Sequence, residues 1–283
     1  MLEEHQAESL SDIFETVRNI RLSWNPKRDR EEVWFRGAPE SYSLLPSLYR
    51  PDELKCAYDE VALFESFKAL GSPLAPRSVV SEWDWYFLAR HHGMPTRLLD
   101  WSSSILPALF FALEPHIRNK KRGEIDREAS MAPTAQFSEH SPVIWVLEAQ
   151  TLNKWAVDDA SVIAVRNELN SFLPDELLES DDDNANSENR WDNEKPIAIY
   201  PRHTNTRIVA QAGRFTVHGS LQIPLEEIAS DNAEVLLARV QLSEGSIARL
   251  WDELDTGGVT PATLLQDLDN LVRYLKYCYD AST

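Results

Sequence analysis

Residues 142–147, Pro-Val-Ile-Trp-Val-Leu, are the stretch that decides the fold. Their β-branched and aromatic side chains are nearly continuous, which is typical of a strand buried on both faces. Further strands are predicted at 33–37, 197–200, 215–218 and 235–241, and helical spacing is found at 9–22, 53–70, 82–90, 105–113 and 243–281. Because the connections are irregular and of mixed length, we expect an α+β fold: a single mixed domain with a central, mainly antiparallel sheet flanked by helices.

The chain divides by composition into three parts. An N-terminal helical segment is predicted at 1–29, the main domain at 30–275 and a C-terminal tail at 276–283. Within the main domain, 119–140 has few large apolar residues and is interpreted as a surface excursion, and 179–194 as a solvated acidic loop. Asp100 or Ser102 is expected to cap the helix at 105–113, and the Gly257-Gly258 pair to separate two C-terminal helices.

The composition excludes several functional classes. The 283 residues carry 28 Lys and Arg against 46 Asp and Glu, so the formal net charge is −18 and non-specific nucleic-acid binding is not expected. No run approaches the roughly 18 apolar residues of a membrane span, and no secretory signal is visible. Cys56 and Cys278 match no metal spacing. We therefore expect a globular cytoplasmic protein without membrane contacts or a bound metal.

Basic and amide groups recur in three places on this acidic chain. The first is Trp34-Phe35-Arg36-Gly37, where the arginine can reach into a cleft and the glycine can let a ligand approach the backbone. Alternatively, Arg36 is a buried arginine satisfied by carbonyls and a carboxylate.

The second place is 90–101, Arg-His-His-Gly-Met-Pro-Thr-Arg-Leu-Leu-Asp-Trp. His91 and His92 are adjacent, so on a helix they point about 100° apart and do not readily share a metal. Arg97 and Asp100 can pair with each other, or Arg97 can face an anionic ligand while Asp100 holds it in orientation.

The third place, 200–216, contains Arg207, Gln211 and Gly213. Gln211 is a plausible polar contact for a ligand, whereas the alternative is a helix end capped by Gly213 with solvated arginines. Convergence of Arg36, Arg97 and Arg207 would form a positive pocket suited to phosphate groups. The phosphate-binding and nucleophile motifs with Gly-x-Gly-x-x-Gly, Gly-Lys-Ser/Thr or Gly-x-Ser-x-Gly signatures are missing from the sequence.

Together the three places resemble the FRG domain, a family named for its aromatic-Arg-Gly motif. Phe35-Arg36-Gly37 matches that motif, 91–101 looks like the second hallmark and 205–216, Asn-x-Arg-x-x-x-Gln-x-Gly-x-Phe-Thr, like the third. The resemblance runs from about residue 30 to 275. It implies a bacterial protein but no settled general activity.

A more distant likeness is to ADP-ribosyltransferase folds, in which a basic residue on a first strand, a second polar motif and a late Gln or Glu occur in that order. Arg36, residues 100–104 and Gln211 follow this order, but position 213 is glycine and no Glu-x-Glu follows. Such enzymes hold NAD in a split sheet and stabilise an oxocarbenium-like transition state.

The main hypothesis is therefore an enzyme that binds a phosphate-bearing nucleotide, with NAD favoured as substrate, and transfers or hydrolyses its ribosyl group. No prosthetic cofactor is expected, the partner is a small anionic ligand, and a protein partner is unknown. The candidate catalytic residues are Asp100, His92 and Gln211. The candidate ligand-binding residues are Arg36, Gly37, His91, Thr96, Arg97 and Arg207.

In this hypothesis Arg36 and Arg97 hold phosphates, and His91 or His92 orients the ribose or moves a proton. Two alternatives remain. One is a non-catalytic nucleotide-sensing module of a bacterial phage-defence or stress system. The other is a structural or interaction domain, in which the motif residues form an internal network and the working surface lies near Trp83 and Trp85.

Overall fold

A computed structural model describes residues 2–27, 31–50, 58–132, 134–165, 167–174, 194–202 and 206–280. Its strands are β1 (Glu3–Ala7), β2 (Val33–Ala38), β3 (Leu98–Ser102), β4 (Val143–Glu148), β5 (Ile163–Ala164), β6 (Ile197–Tyr200), β7 (Gly213–Val217) and β8 (Leu237–Leu242). Its helices are α1 (Leu10–Trp24), α2 (Glu60–Gly71), α3 (Glu82–His91), α4 (Ile105–Ile117), α5 (Arg122–Ser130), α6 (Ala149–Val157), α7 (Thr206–Ala210), α8 (Leu225–Asp231), α9 (Ile247–Thr256), α10 (Pro261–Leu265) and α11 (Leu268–Cys278). Short 3-10 turns lie at Asn167–Phe172 and Glu244–Ser246.

The strands form one eight-stranded mixed sheet in the order β1-β8-β4-β2-β3-β7-β6-β5. The two outermost pairings, β1 with β8 and β5 with β6, are parallel, and the inner ones are antiparallel. Every residue of β4 is buried, as its continuous apolar sequence predicts. The expected α+β fold with a central, mainly antiparallel sheet flanked by helices is confirmed.

Three apolar clusters hold the sheet between helices. On one face, Phe35 and Val240 pack against α1, α4 and α9. On the other face, Trp34 and Trp145 pack against α6 and α8. Successive residues of β2 thus serve opposite faces, as the two-residue period of a strand requires. The third cluster joins α2 and α3 to β3, β6 and β7.

The sheet is split between β2 and β3, the fourth and fifth strands in the order of the sheet. β2 pairs with β4 along its whole length, but it shares only one residue pair with β3, between Phe35 and Ser102. The two strands therefore diverge, and a gap opens toward Arg36 and Asp100. This split positions the candidate site.

Several local predictions need correction. The segment 119–140 is not wholly irregular, because it contains α5, which a buried Ile125 holds against the core. The predicted helical segment 1–29 also contributes β1, which adds to β8 at the sheet edge. Neither Asp100 nor Ser102 caps α4, because both belong to β3 and Ser104 is the N-cap.

The remaining boundaries agree with the sequence or fall outside the described residues. The break at Gly257-Gly258 is confirmed, with a φ of +76° at Gly258, but three helices rather than two follow Ser246. The predicted helix at 53–70 is described from Glu60 onward. Of the predicted acidic loop at 179–194, only residue 194 lies within the described residues. No described helix combines the length and the apolar character needed to cross a membrane.

Candidate functional site

A cavity of about 390 Å³ lies at the split between β2 and β3. Its polar lining comes from β2, α3, β3 and the α7 region: Arg36, Arg90, His91, Asp100, Arg207 and Gln211. Its apolar lining includes Phe35, Phe87, Trp101, Phe111 and Phe215. Three segments that are distant in sequence therefore meet in one cavity, and its size falls within the roughly 300–1,000 Å³ of small-molecule sites.

Asp100 is at the centre of the polar lining. Arg90 donates to its Oδ2 from Nε at 2.9 Å and from Nη2 at 2.5 Å, and the Asp100 side chain remains 46% exposed. Burial alone would raise the pKa of Asp100, but the charges of Arg90 and Arg36 outweigh it and leave that pKa below its ordinary value. The carboxylate is therefore ionised at neutral pH.

Arg36 bridges the split in the sheet. Its Nη1 donates to the backbone carbonyl of Asp100 at 2.6 Å and lies 3.7 Å from Oδ2 of the same residue. Burial lowers the pKa of Arg36 to about 10, and nearby Arg90 and Arg50 also lower it, whereas Asp100 raises it. Both sequence interpretations thus apply: Arg36 is satisfied by a carbonyl and a carboxylate, and it also lines the cavity.

Two further arginines contribute positive charge at or near the cavity. Arg90 lines the cavity and holds Asp100, and Arg50 does not line it but lies close enough to Arg36 to lower the pKa of that residue. A signal for Arg90 was available, because Phe87, Arg90 and His91 are spaced i, i+3 and i+4 and so share one face of α3. Arg50 belongs to an irregular loop, which gave no such periodicity.

The rings of His91 and His92 pack edge to face, with their centroids 4.9 Å apart, but of the two only His91 lines the cavity. His91 is half-buried in the cavity wall, whereas His92 is exposed and lies in a neighbouring groove rather than in the cavity. Burial, followed by Arg207 and His92, lowers the pKa of His91 to about 4. His91 is therefore a neutral imidazole near pH 7, and its proton equilibrium lies outside the physiological range on which the hypothesis relied.

The glycine after the histidines fixes where α3 ends. Gly93 has a φ of +84°, and the amides of Gly93 and Met94 donate to the carbonyls of Arg90 and Ala89, both at 3.0 Å. These two bonds are the pattern of a Schellman C-cap, which favours glycine in the left-handed conformation. The cap holds the last turn of α3, and with it Arg90 and His91, at the cavity.

The α7 region supplies Arg207 and Gln211. Burial lowers the pKa of Arg207, and the negative charges of Asp267 and Asp100 offset part of this lowering. The Gln211 side chain lines the cavity while its Nε2 donates to the carbonyl of Leu264 at 3.1 Å, and its backbone carbonyl accepts from Ser102 Oγ at 2.7 Å. Gln211 thus ties the cavity wall to α10 and to β3.

Arg97 does not reach the cavity. Its Nε and Nη2 donate to Glu60 Oε2 at 2.7 and 2.6 Å, and Tyr86 donates to Glu60 Oε1 at 2.7 Å. The Arg97 amide in turn donates to the Tyr86 hydroxyl at 2.9 Å. Thr96 is fully buried and also lies off the cavity. The pairing of Arg97 with Asp100 that the sequence allowed is replaced by this buried network.

Gly37 lies at the cavity, but its packing explains the residue type. A Cβ atom at this position would lie 1.7 Å from the Ala108 carbonyl oxygen, so α4 can rest on β2 only where no side chain intervenes. Close packing between α4 and β2 thus requires glycine here, and the expectation that Gly37 also lets a ligand approach the backbone stays a prediction.

Metal binding finds no support among the described residues, which contain no cluster of three or more potential His, Cys, Asp or Glu ligands. His203 and Asn205 of the third motif lie outside the described residues. The catalytic and ligand-binding roles assigned to the cavity residues stay predictions.

Comparison with known proteins identifies one family. The model of the FRG domain matches residues 31–121, about a third of the chain, which confirms the resemblance over this segment. The match contains Phe35-Arg36-Gly37 and the 91–101 motif, whereas the third motif lies beyond it. No curated protein and no solved structure matches the chain significantly.

Proposed function

We propose that the cavity between β2 and β3 binds a phosphate-bearing nucleotide. The observation that carries this proposal is the convergence of three guanidinium groups, those of Arg36, Arg90 and Arg207, with Asp100 in one cavity of a chain with a net charge of −18. Guanidinium groups match phosphate oxygens in charge and in donor geometry. The aromatic lining offers apolar surface to a base or a sugar face.

NAD is the nucleotide we favour, with transfer or hydrolysis of its ribosyl group as the reaction. The bond between nicotinamide N1 and ribose C1′ breaks, and nicotinamide leaves as a neutral molecule with the bonding electron pair. Water or an acceptor nucleophile then adds to C1′ and loses a proton. The cationic ribosyl group formed between these steps is stabilised by a nearby carboxylate.

In this proposal, Asp100 supplies the carboxylate. It is ionised and almost half exposed to the cavity, and a carboxylate has acceptor capacity beyond the two bonds from Arg90. Neutral His91 would accept from or donate to a ribose hydroxyl. Arg207 would contact phosphate, because it lines the cavity and lies close enough to Asp100 for that charge to affect its pKa.

A specific observation also favours the non-catalytic sensing module. Arg90 and Arg36 share the charge of Asp100, and a carboxylate paired with two guanidiniums stabilises a developing cation less than a free one does. Under this alternative Asp100 positions the arginines, and the site binds its nucleotide without turning it over.

The test is calorimetric titration with NAD together with release of labelled nicotinamide. We expect micromolar or tighter binding, loss of at least tenfold in affinity for Arg207→Gln, and no change for Arg127→Gln, an exposed arginine on α5 that lies off the cavity. Asp100→Asn should abolish release while NAD still binds. Binding of NAD by the wild-type protein without release of nicotinamide would select the sensing module. If neither NAD nor a related nucleotide binds, both the enzyme proposal and the sensing-module proposal are wrong.

A further inference from the structure

A second concavity adjoins the cavity, and it is larger and more apolar. This groove, with a volume of about 630 Å³, is lined by α2, the 71–79 turn, α3 and α7. Phe67, Trp85 and Leu88 supply apolar surface, and the polar groups come from Ser78, Asp84, His92 and Thr206. None of these side chains has a part in the function proposed above.

The groove and the cavity share part of their walls. Phe87, His91 and Ile208 line both spaces, and we call these three residues the shared floor. Helix geometry explains the sharing, because α3 turns Arg90 toward the cavity and Leu88 toward the groove. In α7, Thr206 faces the groove and Arg207 the cavity.

From these shared residues we infer that, with NAD bound, the adenine base lies in the groove while the nicotinamide ribose lies at Asp100. The inference rests on the proposed function and deepens it. At about 390 Å³ the cavity is near the lower limit of ligand sites, so a dinucleotide needs additional space, and the groove supplies it directly beyond His91.

The charges agree with this orientation. Arg207 lies next to the shared floor and is close enough to His91 to lower the pKa of that imidazole, so a pyrophosphate that crosses between the two spaces would meet a guanidinium there. The groove itself is lined by aromatic and aliphatic surface, which suits a flat base. The hydroxyls of Ser78 and Thr206 at its edge can bond to the ring nitrogens or the exocyclic amine of that base.

The experiment compares two probes, NAD and nicotinamide mononucleotide, which lacks the second nucleotide. Contact of a base with aromatic side chains contributes about 1–3 kcal/mol, so we expect NAD to bind wild-type protein roughly tenfold or more tightly than the mononucleotide. Ala75→Trp, which places an indole in the groove, should remove this advantage and leave mononucleotide affinity unchanged.

Two further variants keep the result interpretable. Ser78→Trp fills the groove from a second, exposed position, and Ala233→Trp adds the same indole at an exposed site away from both spaces. Ser78→Trp should reproduce the effect of Ala75→Trp, whereas Ala233→Trp should bind both probes as the wild-type protein does. Equal affinity of wild-type protein for the two probes, or an NAD advantage that survives both groove variants, would overturn the inference and leave the nucleotide site at the cavity standing. If neither probe binds, the proposed function fails, and the inference fails with it.

Discussion

Replacement of Arg97 tests whether the second motif acts through a ligand or through the fold. Arg97 and Glu60 are almost completely buried, with side-chain exposures of 13% and 9%, and they share two short contacts. Arg97→Ala would leave the Glu60 carboxylate with only the Tyr86 hydroxyl as a partner. The removal of one member of a buried ion pair costs about 3–5 kcal/mol, because the remaining charge is uncompensated.

This cost should be visible as a large loss of thermal stability. For a chain of this size each kcal/mol corresponds to about 2 °C, so the melting temperature should fall by roughly 6–10 °C. The assay is thermal and urea unfolding followed by circular dichroism. Glu60→Gln/Arg97→Met, in which the charges are removed together, should be less destabilised than Arg97→Ala.

Unchanged stability together with lost nucleotide binding would instead show that Arg97 contacts the ligand. If Arg97→Ala unfolds within about 1 °C of wild type and loses nucleotide binding, the assignment of Arg97 to a structural network is wrong. Matched measurements on Arg207→Gln separate the two outcomes, since Arg207 is at the cavity and should affect binding far more than stability.

Three other perturbations follow from the structure. Gly37→Ala should destabilise the protein by about 1–3 kcal/mol or prevent folding, because the added Cβ would lie 1.7 Å from a carbonyl oxygen of α4. Its control, Gly123→Ala on exposed α5, has no atom within 4 Å of the added Cβ and should be neutral or stabilising by up to about 1 kcal/mol. Equal unfolding midpoints for the two variants would contradict this expectation. Gly93→Ala should cost about 1–2 kcal/mol in urea unfolding, because alanine is strained at a φ of +84°, and an unchanged midpoint would refute the C-cap assignment. Burial lowers the pKa of His218 to about 3 from an unfolded value of 6.5, so the unfolded state binds the proton first and stability should fall as the pH drops through this window, by up to about 1.4 kcal/mol per unit. His218→Leu should show a shallower decline between about pH 6.5 and 4.5, and parallel curves for the two proteins would disprove the contribution.

The central part of the fold could be predicted from the sequence because its signals are local. The apolar runs of β4 and of residues 33–35 predict strands, and the spacing of Ile13, Val17 and Ile20 predicts a helix. β1 gave no such signal, because Glu3–Ala7 is a polar edge strand and is defined by its partner β8. The pairing of β1 with β8 depends on tertiary structure, which the local sequence pattern does not reveal.

The site was predictable in its outline but not in its pairings. Arg36, Asp100, Arg207 and Gln211 do line one cavity, because β2, β3 and the α7 region meet there. The partner of Arg97 was not predictable, since Glu60 lies 37 residues away in a helix with no motif of its own. Charge pairs between distant segments depend on packing, which the order of residues in the chain does not reveal.

Because β2 and β3 share a single residue pair, a ligand in the cavity should stabilise the sheet on both sides of the split. On one side of this seam, β2 belongs to a block with β4, β8 and β1, and on the other, β3 belongs to a block with β7, β6 and β5. An occupant that contacts Arg36 and Arg207 would therefore join two blocks that share little backbone bonding. Its presence would be reported by slower amide hydrogen exchange along both strands, well beyond the residues it contacts.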